Sequence, residues 1–137
     1  MRIVILGAGT VGTSIAEVLC NNRHSVTVVD SDPVQKQRID DELDAQAILG
    51  SASQSSVLFQ ANVLDADLCL AVTGNDEVNL IAASMAKAMG ARRTMARVYA
   101  PVFRDLSTFD YQGHFHIDRL ISLEHEAANL LARNLRD

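Results

Sequence analysis

Aromatic side chains are scarce in this chain, and tryptophan is absent: aromatics make up 4% of the 137 residues. Valine, isoleucine, leucine and alanine must therefore fill the core, and a hydrophobic content of 48% is ordinary for one soluble domain of this length. Basic residues are also few, since 12 Lys and Arg against 17 Asp and Glu give a net charge of −5. This balance argues against general nucleic-acid binding, which requires a basic surface.

Long hydrophobic runs are absent as well. No apolar run approaches the roughly 18 residues that a membrane-spanning helix needs, so we expect no direct insertion into a membrane. A strand-like run begins at Arg2 and leaves no room for a signal peptide. We therefore expect a cytoplasmic location.

Cysteine is limited to Cys20 and Cys69, which lack CxxC spacing. They are interpreted as buried small hydrophobic residues without a redox or metal role. His114 and His116 alternate along an extended stretch and share a face there, but we interpret them as surface residues. No metal site and no catalytic residue is predicted.

A glycine-rich segment, GAGTVG at Gly7–Gly12, follows the apolar run at 2–6 and opens a helix-like stretch. A second apolar run closes on Asp30, 18 positions after Gly12. A lone G-x-G-x-x-G pattern is weak evidence, because glycines recur in turns. In this context the pattern predicts a Rossmann dinucleotide-binding fingerprint.

The three glycines of this fingerprint have different expected roles. Gly7 allows a sharp turn after the strand, Gly9 lets a pyrophosphate approach the backbone, and Gly12 lets the helix pack closely against the strand. Thr10 and Val11 stand in the first turn of that helix, whose free N–H groups and positive dipole end face the phosphates.

Asp30 is expected to accept hydrogen bonds from ribose hydroxyls. A carboxylate at this position also repels a 2′-phosphate, and the neighbouring Ser31 supplies no compensating cation. We therefore favour NAD or NADH over the phosphorylated dinucleotides.

Apolar runs alternate with helix-like segments along the whole chain. Strands are predicted at about residues 2–6, 25–30, 45–49, 68–73, 95–99 and 119–121. Helices are predicted from the glycine segment to about 21 and at about 33–43, 55–61, 76–89, 101–109 and 123–136. The fold class is α/β: one Rossmann-type three-layer domain over 1–137, with a six-stranded parallel sheet of order 3-2-1-4-5-6 and helices on both faces. The ligand is expected to cross the carboxyl ends of strands one and four.

The segment AVTGNDEVN at 71–79 resembles the A-V-T-x-x-D-E-x-N segment of the TrkA-N family. The opening ILGAGTVG, the VVDSD strand end at 28–32, the ARV at 96–98 and IDRLISLE at 117–124 also resemble this family. TrkA-N domains provide the nucleotide-binding lobes of RCK (KTN) domains, which regulate potassium channels and transporters. The resemblance covers nearly the whole chain.

This resemblance implies further site residues. Gly50, Ser51 and Ala52 stand where many relatives carry G-D-A, so Ser51 replaces the acid and a polar contact to the adenosine half is expected to be weaker. Thr10 stands where the Ktr-type branch often has Arg, which points to the Trk-type branch. Arg97 then remains as the cation for the phosphates, its alternative being an ion pair with an acid.

Thr73 and Asn79 belong to the same motif. Thr73 follows strand four, where it either contacts the ligand or caps the next helix. The resemblance places Asn79 one turn inside that helix, facing the site, and implies a ligand contact.

The resemblance implies a regulatory lobe that binds NAD or NADH and changes the activity of a membrane potassium transporter or channel subunit. ATP, ADP or AMP competes for the same adenosine pocket. A homodimer or higher oligomer is expected, with the apolar stripe of the crossover helix at 123–136 partly shared, and a position at the inner face of the membrane through the transporter. RCK units continue into a second lobe, so the chain is expected to be a piece of a longer protein or a single-lobe relative.

Two alternatives belong to enzyme classes. The first is the cofactor domain of an NAD-dependent dehydrogenase whose substrate domain is missing; it requires a general acid or base beside the nicotinamide. The second is an S-adenosylmethionine methyltransferase, against which the motif at 71–79 argues. A regulatory module rather than an enzyme is the preferred hypothesis.

Overall fold

The computed structural model describes residues 1–122. Six strands are β1 (Arg2–Leu6), β2 (Ser25–Asp30), β3 (Gln46–Leu49), β4 (Leu68–Ala71), β5 (Thr94–Arg97) and β6 (Arg119–Ile121). The helices are α1 (Thr10–Asn21), α2 (Pro33–Glu42), α3 (Ser55–Gln60), α4 (Asp76–Met89) and α5 (Tyr111–His114), with 3₁₀ turns at Val63–Asp65 and Pro101–Phe103. The predicted crossover helix at about 123–136 lies outside the described residues.

All six strands are parallel and lie in the order β3-β2-β1-β4-β5-β6. The predicted Rossmann-type α/β sheet is therefore confirmed. The chain leaves β1 toward β2 on one side and returns to β4 on the other side. The carboxyl ends of β1 and β4 consequently frame the crevice where ligands bind in sheets of this kind.

Alternating residues of β1 show why helices cover both faces of the sheet. Val4 and Leu6 belong to a buried cluster with α3 and α4, whereas Ile3 and Ile5 belong to a second cluster with α1 and α2. Every residue of β4 is buried, as the nearly continuous apolar run predicted. The described residues therefore form two buried clusters, one on each face of the sheet.

Local sequence signals set the ends of two helices. Asp32 caps α2, because its Oδ1 accepts a 2.9 Å hydrogen bond from the N–H of Val34. Asn75 caps α4 by accepting from the N–H of Val78 at 3.0 Å. Gly90 ends α4 with φ at +125°, a conformation that favours glycine. The predicted start of α2 and end of α4 are confirmed.

The predicted helix at 101–109 is wrong. Pro101 begins only a single 3₁₀ turn. Asp105 then accepts the N–H of Ser107 at 2.9 Å and its hydroxyl at 2.6 Å, and such local bonds compete with helix formation. The short α5 starts after Asp110, whose Oδ1 accepts from the N–H of Gly113 at 2.9 Å.

Both cysteines are free thiols. Cys69 is buried in β4 as predicted, and this burial raises the pKa of its thiol to about 12. Cys20 is only half-buried, because it lies at the end of α1, where its thiol donates to the carbonyl oxygen of Asp44. The expectation of full burial is therefore wrong for Cys20.

Candidate functional site

A cleft of about 630 Å³ opens over the carboxyl ends of the central strands. The cleft is lined by ten residues that the sequence analysis singled out: Gly7, Gly9, Thr10, Val11, Asp30, Ser31, Ser51, Ala52, Thr73 and Arg97. Segments from the ends of five strands, β1 to β5, thus meet in one cavity. Of the predicted binding residues, Gly12 and Asn79 stand behind its wall.

Gly7 and Gly12 hold the turn after β1 against its neighbours. Gly7 has φ at +113°, and a Cβ there would lie 2.9 Å from the backbone N and Cα of Thr73. A Cβ on Gly12 would lie 1.8 Å from the carbonyl oxygen of Gly7. Both positions therefore require glycine for packing, which matches the helix–strand role expected of Gly12.

Gly9 differs from the other two glycines. Its φ is −72°, and a Cβ placed on it would have no atom of residues 1–122 within 4 Å, its own chain neighbours aside. It precedes the first turn of α1, which has no side-chain cap and no acidic residue. The open space and the uncapped helix end leave room for an anionic group at Gly9.

Asp30 enters the cleft with its carboxylate already oriented. Oδ2 accepts a 2.8 Å hydrogen bond from the N–H of Ala8, and Oδ1 accepts one of 2.8 Å from the N–H of Asp32. A carboxylate has about four lone-pair sites, so both oxygens keep capacity for hydroxyl donors. The neighbouring Ser31 is exposed and adds no positive charge.

Asn79 is fully buried and ties the ends of β4 and β5 together. Its Oδ1 accepts from the N–H of Thr73 at 2.8 Å and from the hydroxyl of Thr73 at 2.6 Å. Its Nδ2 donates to the carbonyl oxygens of Thr73 and Arg97 at 3.0 and 2.9 Å. The geometry therefore assigns Asn79 a supporting position, and the expected direct contact with a ligand finds no support.

Thr73 lines the cleft and does not cap α4, because Asn75 fills that role. The guanidinium of Arg97 donates from Nη2 to the carbonyl oxygen of Thr73 at 2.6 Å and lies 4.7 Å from the centre of the Tyr99 ring. Arg97 is 5% exposed, and its Nε has no hydrogen-bond partner in the described chain. Within residues 1–122, no carboxylate lies at ion-pair distance from Arg97, so the alternative of an ion pair finds no support there.

Asp76 connects α4 to the segment after β5. Its Oδ2 accepts from the N–H groups of Tyr99 and Ala100 at 3.0 and 2.9 Å. Asp76 also lies in the first turn of α4, where a negative charge favours the helix dipole. Asp76 thus makes a structural contact between α4 and the segment after β5.

Sequence reasoning missed part of the cleft wall. The missed residues are Val29, Gly50, Val72, Gly74, Asn75, Val78 and Tyr99. Several lie next to predicted positions, so extending each motif by one residue would have found them. Tyr99 is 58% exposed, and in the folded chain it lines the cleft beside the guanidinium of Arg97.

Two further features of residues 1–122 bear on function. No group of three or more His, Cys, Asp or Glu side chains in this range is placed to hold a metal ion. His114 instead packs edge-on against Phe109 and Phe115, with ring centres 5.1 Å apart in both pairs. None of the helices in this range is long and apolar enough to cross a membrane.

The TrkA-N domain matches residues 3–122 of this sequence. The chain belongs to the TrkA-N family. Its curated relatives include a Trk system potassium uptake protein TrkA homolog from Archaeoglobus fulgidus, 47% identical over 105 residues that cover 77% of this chain and 24% of the relative. The Trk system potassium uptake protein TrkA of Azorhizobium caulinodans is 36% identical over 141 positions, covering 98% of this chain and 30% of that protein. This TrkA-N chain thus spans about a quarter to a third of the length of these relatives.

Solved structures share the TrkA-N fold at low identity. The TrkA-N domain of the inner membrane protein ybaL from Escherichia coli has a TM-score of 0.77 at 17% identity, covering 98% of this chain and 96% of that one. The GsuK channel bound to NAD has a TM-score of 0.74 at 18% identity, with coverages of 88% and 21%. The AMP-bound Kef CTD of Shewanella denitrificans has a TM-score of 0.72 at 16% identity, with coverages of 96% and 77%.

Proposed function

We propose that this chain is a nucleotide-binding regulatory lobe of a potassium transport system, with NAD or NADH as its ligand. The observation that carries the proposal is the cleft at the switch point, which is lined by both the oriented carboxylate of Asp30 and the unobstructed Gly9. TrkA relatives are named as potassium uptake proteins, and GsuK and Kef relatives of the fold are bound to NAD and AMP.

The cleft has room for the two halves of a dinucleotide. In the proposed pose the adenosine lies beside Asp30, Ser31, Ser51 and Ala52, with its ribose hydroxyls donating to the Asp30 carboxylate. The pyrophosphate lies over Gly9 and the first turn of α1. The nicotinamide half extends toward Thr73, Arg97 and Tyr99, on the β4–β5 side of the cleft.

ATP, ADP or AMP would fill only the adenosine and phosphate parts of this cleft. The Arg97 guanidinium then lies on the side toward which further phosphates extend, and Arg is suited to bind phosphate oxygens in pairs. The proposed role as a switch requires the nucleotide to bind two arrangements of the protein with different affinities. The proposed partner is a membrane transporter or channel subunit, contacted by a homodimer or higher oligomer at the inner face of the membrane.

The regulatory role is preferred over a dehydrogenase because the curated relatives are named as uptake proteins. A dehydrogenase would also need an acid or base next to the nicotinamide. The residues that line the β4–β5 side of the cleft are Val72, Thr73, Gly74, Asn75, Val78, Arg97 and Tyr99. Among these residues, only the tyrosine is of a type that serves as a general acid or base in enzymes.

Calorimetric titration of the chain with NADH, NAD, NADPH, ADP, ATP and AMP tests the proposal. We expect NADH or NAD to bind more tightly than NADPH, because Asp30 repels the 2′-phosphate. Tighter binding of ATP or ADP than of either dinucleotide would still support a nucleotide-dependent switch, but with an adenine nucleotide instead of NAD or NADH as its ligand. Absence of binding by all six ligands would contradict the proposed function of this chain.

A further inference from the structure

Arg38 on α2 contacts the glycine turn, although no sequence pattern singled it out. Its Nη2 donates to the carbonyl oxygen of Ala8 and to the hydroxyl oxygen of Thr13, each at 3.0 Å. Its Nε is buried and has no partner among the described residues. A positive charge is thus held directly behind the turn that the proposed function assigns to the phosphates.

Both backbone polar groups of Ala8 are occupied. The N–H donates to Oδ2 of Asp30 at 2.8 Å, and the carbonyl oxygen accepts from Arg38 and, at 3.0 Å, from the hydroxyl of Thr13. The Ala8 carbonyl and the Gly9 N–H belong to one planar trans peptide, in which they point in opposite directions. Because the carbonyl points toward Arg38, the Gly9 N–H points away from it, and Gly9 itself lines the cleft.

We infer that Arg38 is a positioning residue for the phosphate groups of the nucleotide. It fixes the peptide between Ala8 and Gly9 so that the Gly9 N–H is available to a phosphate oxygen, and it adds a positive charge behind that peptide. This role rests on the proposed function. It also supplies, from α2, a cation that Thr10 does not supply from the turn itself.

The number of phosphates in the ligand provides the test. Adenosine, ADP and NADH are titrated into the unsubstituted chain and into Arg38→Met by NMR chemical-shift changes and calorimetry. We expect Arg38→Met to weaken ADP and NADH by about tenfold, the effect of losing one charge-assisted interaction, and to change adenosine by less than about twofold. A residue that merely supports the fold would not distinguish adenosine from ADP.

Lys36→Met is the matched control, because Lys36 lies on the same helix, pairs with Asp40 and does not line the cleft. It removes the same charge and is expected to leave all three affinities within about twofold. Arg38→Lys retains the charge and one donor group, so it is expected to restore part of the ADP affinity. Arg38→Gln serves if Arg38→Met does not fold; a loss for ADP of about threefold or more, without one for adenosine, is expected.

Three results overturn the inference. Equal losses for adenosine and ADP would show a general loosening of the domain. Unchanged ADP and NADH affinities in folded Arg38→Met or Arg38→Gln would show that Arg38 has no role in phosphate binding. If the unsubstituted chain binds none of the three ligands, the proposed function fails first, and the role of Arg38 fails with it.

Discussion

The backbone N–H of Ala8 donates a 2.8 Å hydrogen bond to Oδ2 of Asp30 and thereby ties the glycine turn after β1 to the end of β2. Oδ1 of the same carboxylate accepts the N–H of Asp32. The Asp30 side chain, which is proposed to bind the ribose, is therefore held in one orientation before a ligand binds. Binding then does not have to immobilise this side chain, which lowers the entropic cost of binding.

The substitution Asp30→Asn is expected to weaken NADH binding by about 1–3 kcal/mol, because charged hydrogen bonds to the ribose are lost. NADPH should lose less, since the repulsion of its 2′-phosphate is removed as well. Calorimetry with both ligands measures the two changes. The control is Asp40→Asn, an acid on α2 that pairs with Lys36 and does not line the cleft. Unchanged NADH affinity in folded Asp30→Asn would show that Asp30 does not contact the ribose.

Gly9→Ala is expected to reduce NADH affinity by about tenfold or more while leaving the melting temperature nearly unchanged. Within the described part of the chain the added methyl group has no atom within 4 Å except those of its sequence neighbours, so a ligand at the backbone is what it would displace. Thermal unfolding and NADH titration separate the two effects. An alanine variant that binds NADH normally would contradict the proposed position of the pyrophosphate.

The neighbouring Gly7→Ala is the matched comparison. It forces a non-glycine residue to φ +113° and brings its Cβ within 2.9 Å of the Thr73 backbone. We expect it to lower the free energy of unfolding by about 2 kcal/mol or more, from backbone strain alone. Stability of Gly7→Ala equal to that of Gly9→Ala in a denaturant titration would be inconsistent with this packing.

Asn79→Ala is expected to lower the free energy of unfolding by about 2–4 kcal/mol. The substitution leaves the backbone groups of Thr73 and Arg97 without their buried partners, and unsatisfied buried polar groups are costly. Urea denaturation measures the loss. The exposed Glu77 provides the control on the same helix, and Glu77→Ala should change stability by about 0.5 kcal/mol or less. A similar small change in Asn79→Ala would contradict the supporting role.

We expect Asp118 to make the free energy of unfolding depend on pH in the acidic range. Partial burial raises the pKa of its carboxyl, but hydrogen bonds from Lys87 and from the N–H of Thr94 together outweigh this effect and lower the pKa below its ordinary value of 3.8. A lowered pKa in the folded state means that the carboxylate stabilises the protein above the unfolded value. This contribution is lost as the pH falls below about 4, through the ordinary value and then through the folded pKa.

The variant Asp118→Asn tests this dependence. We expect it to be less stable than the unsubstituted chain at pH 7 and to lose less stability between pH 5 and pH 2. Urea midpoints measured across this range give the comparison. Asp44→Asn is the control, since Asp44 is an exposed acid without an ion-pair partner in the described chain. Parallel pH profiles for the unsubstituted chain and Asp118→Asn would rule the contribution out.

The sequence predicted the sheet and much of the cleft wall because those features depend on residue type at fixed local positions. Gly7 and Gly12 are demanded by backbone conformation and close packing, and Asp30 ends its strand. Arg38 escaped prediction because its contact with Ala8 joins positions 30 residues apart, and nothing on α2 itself marks the contact.

Local sequence patterns also led to wrong predictions where one pattern is compatible with two different structures. The resemblance at 71–79 marked Asn79 as important, but only the folded geometry shows that its amide faces the ends of β4 and β5. Pro101 was a helix-start signal, yet the side chain of Asp105 offered the backbone a different set of hydrogen bonds. In both cases tertiary or side-chain hydrogen bonds produced a structure that the local pattern did not predict.

The amide proton of Thr73 is bonded to the Asn79 side chain rather than to a neighbouring strand. Its exchange with solvent therefore requires this hydrogen bond to the Asn79 side chain to open, not the sheet to separate. We expect the exchange of this proton to report local opening at the contact between Asn79 and the end of β4, separately from global unfolding. Hydrogen exchange at the Thr73 amide therefore measures local opening on the β4–β5 side of the cleft.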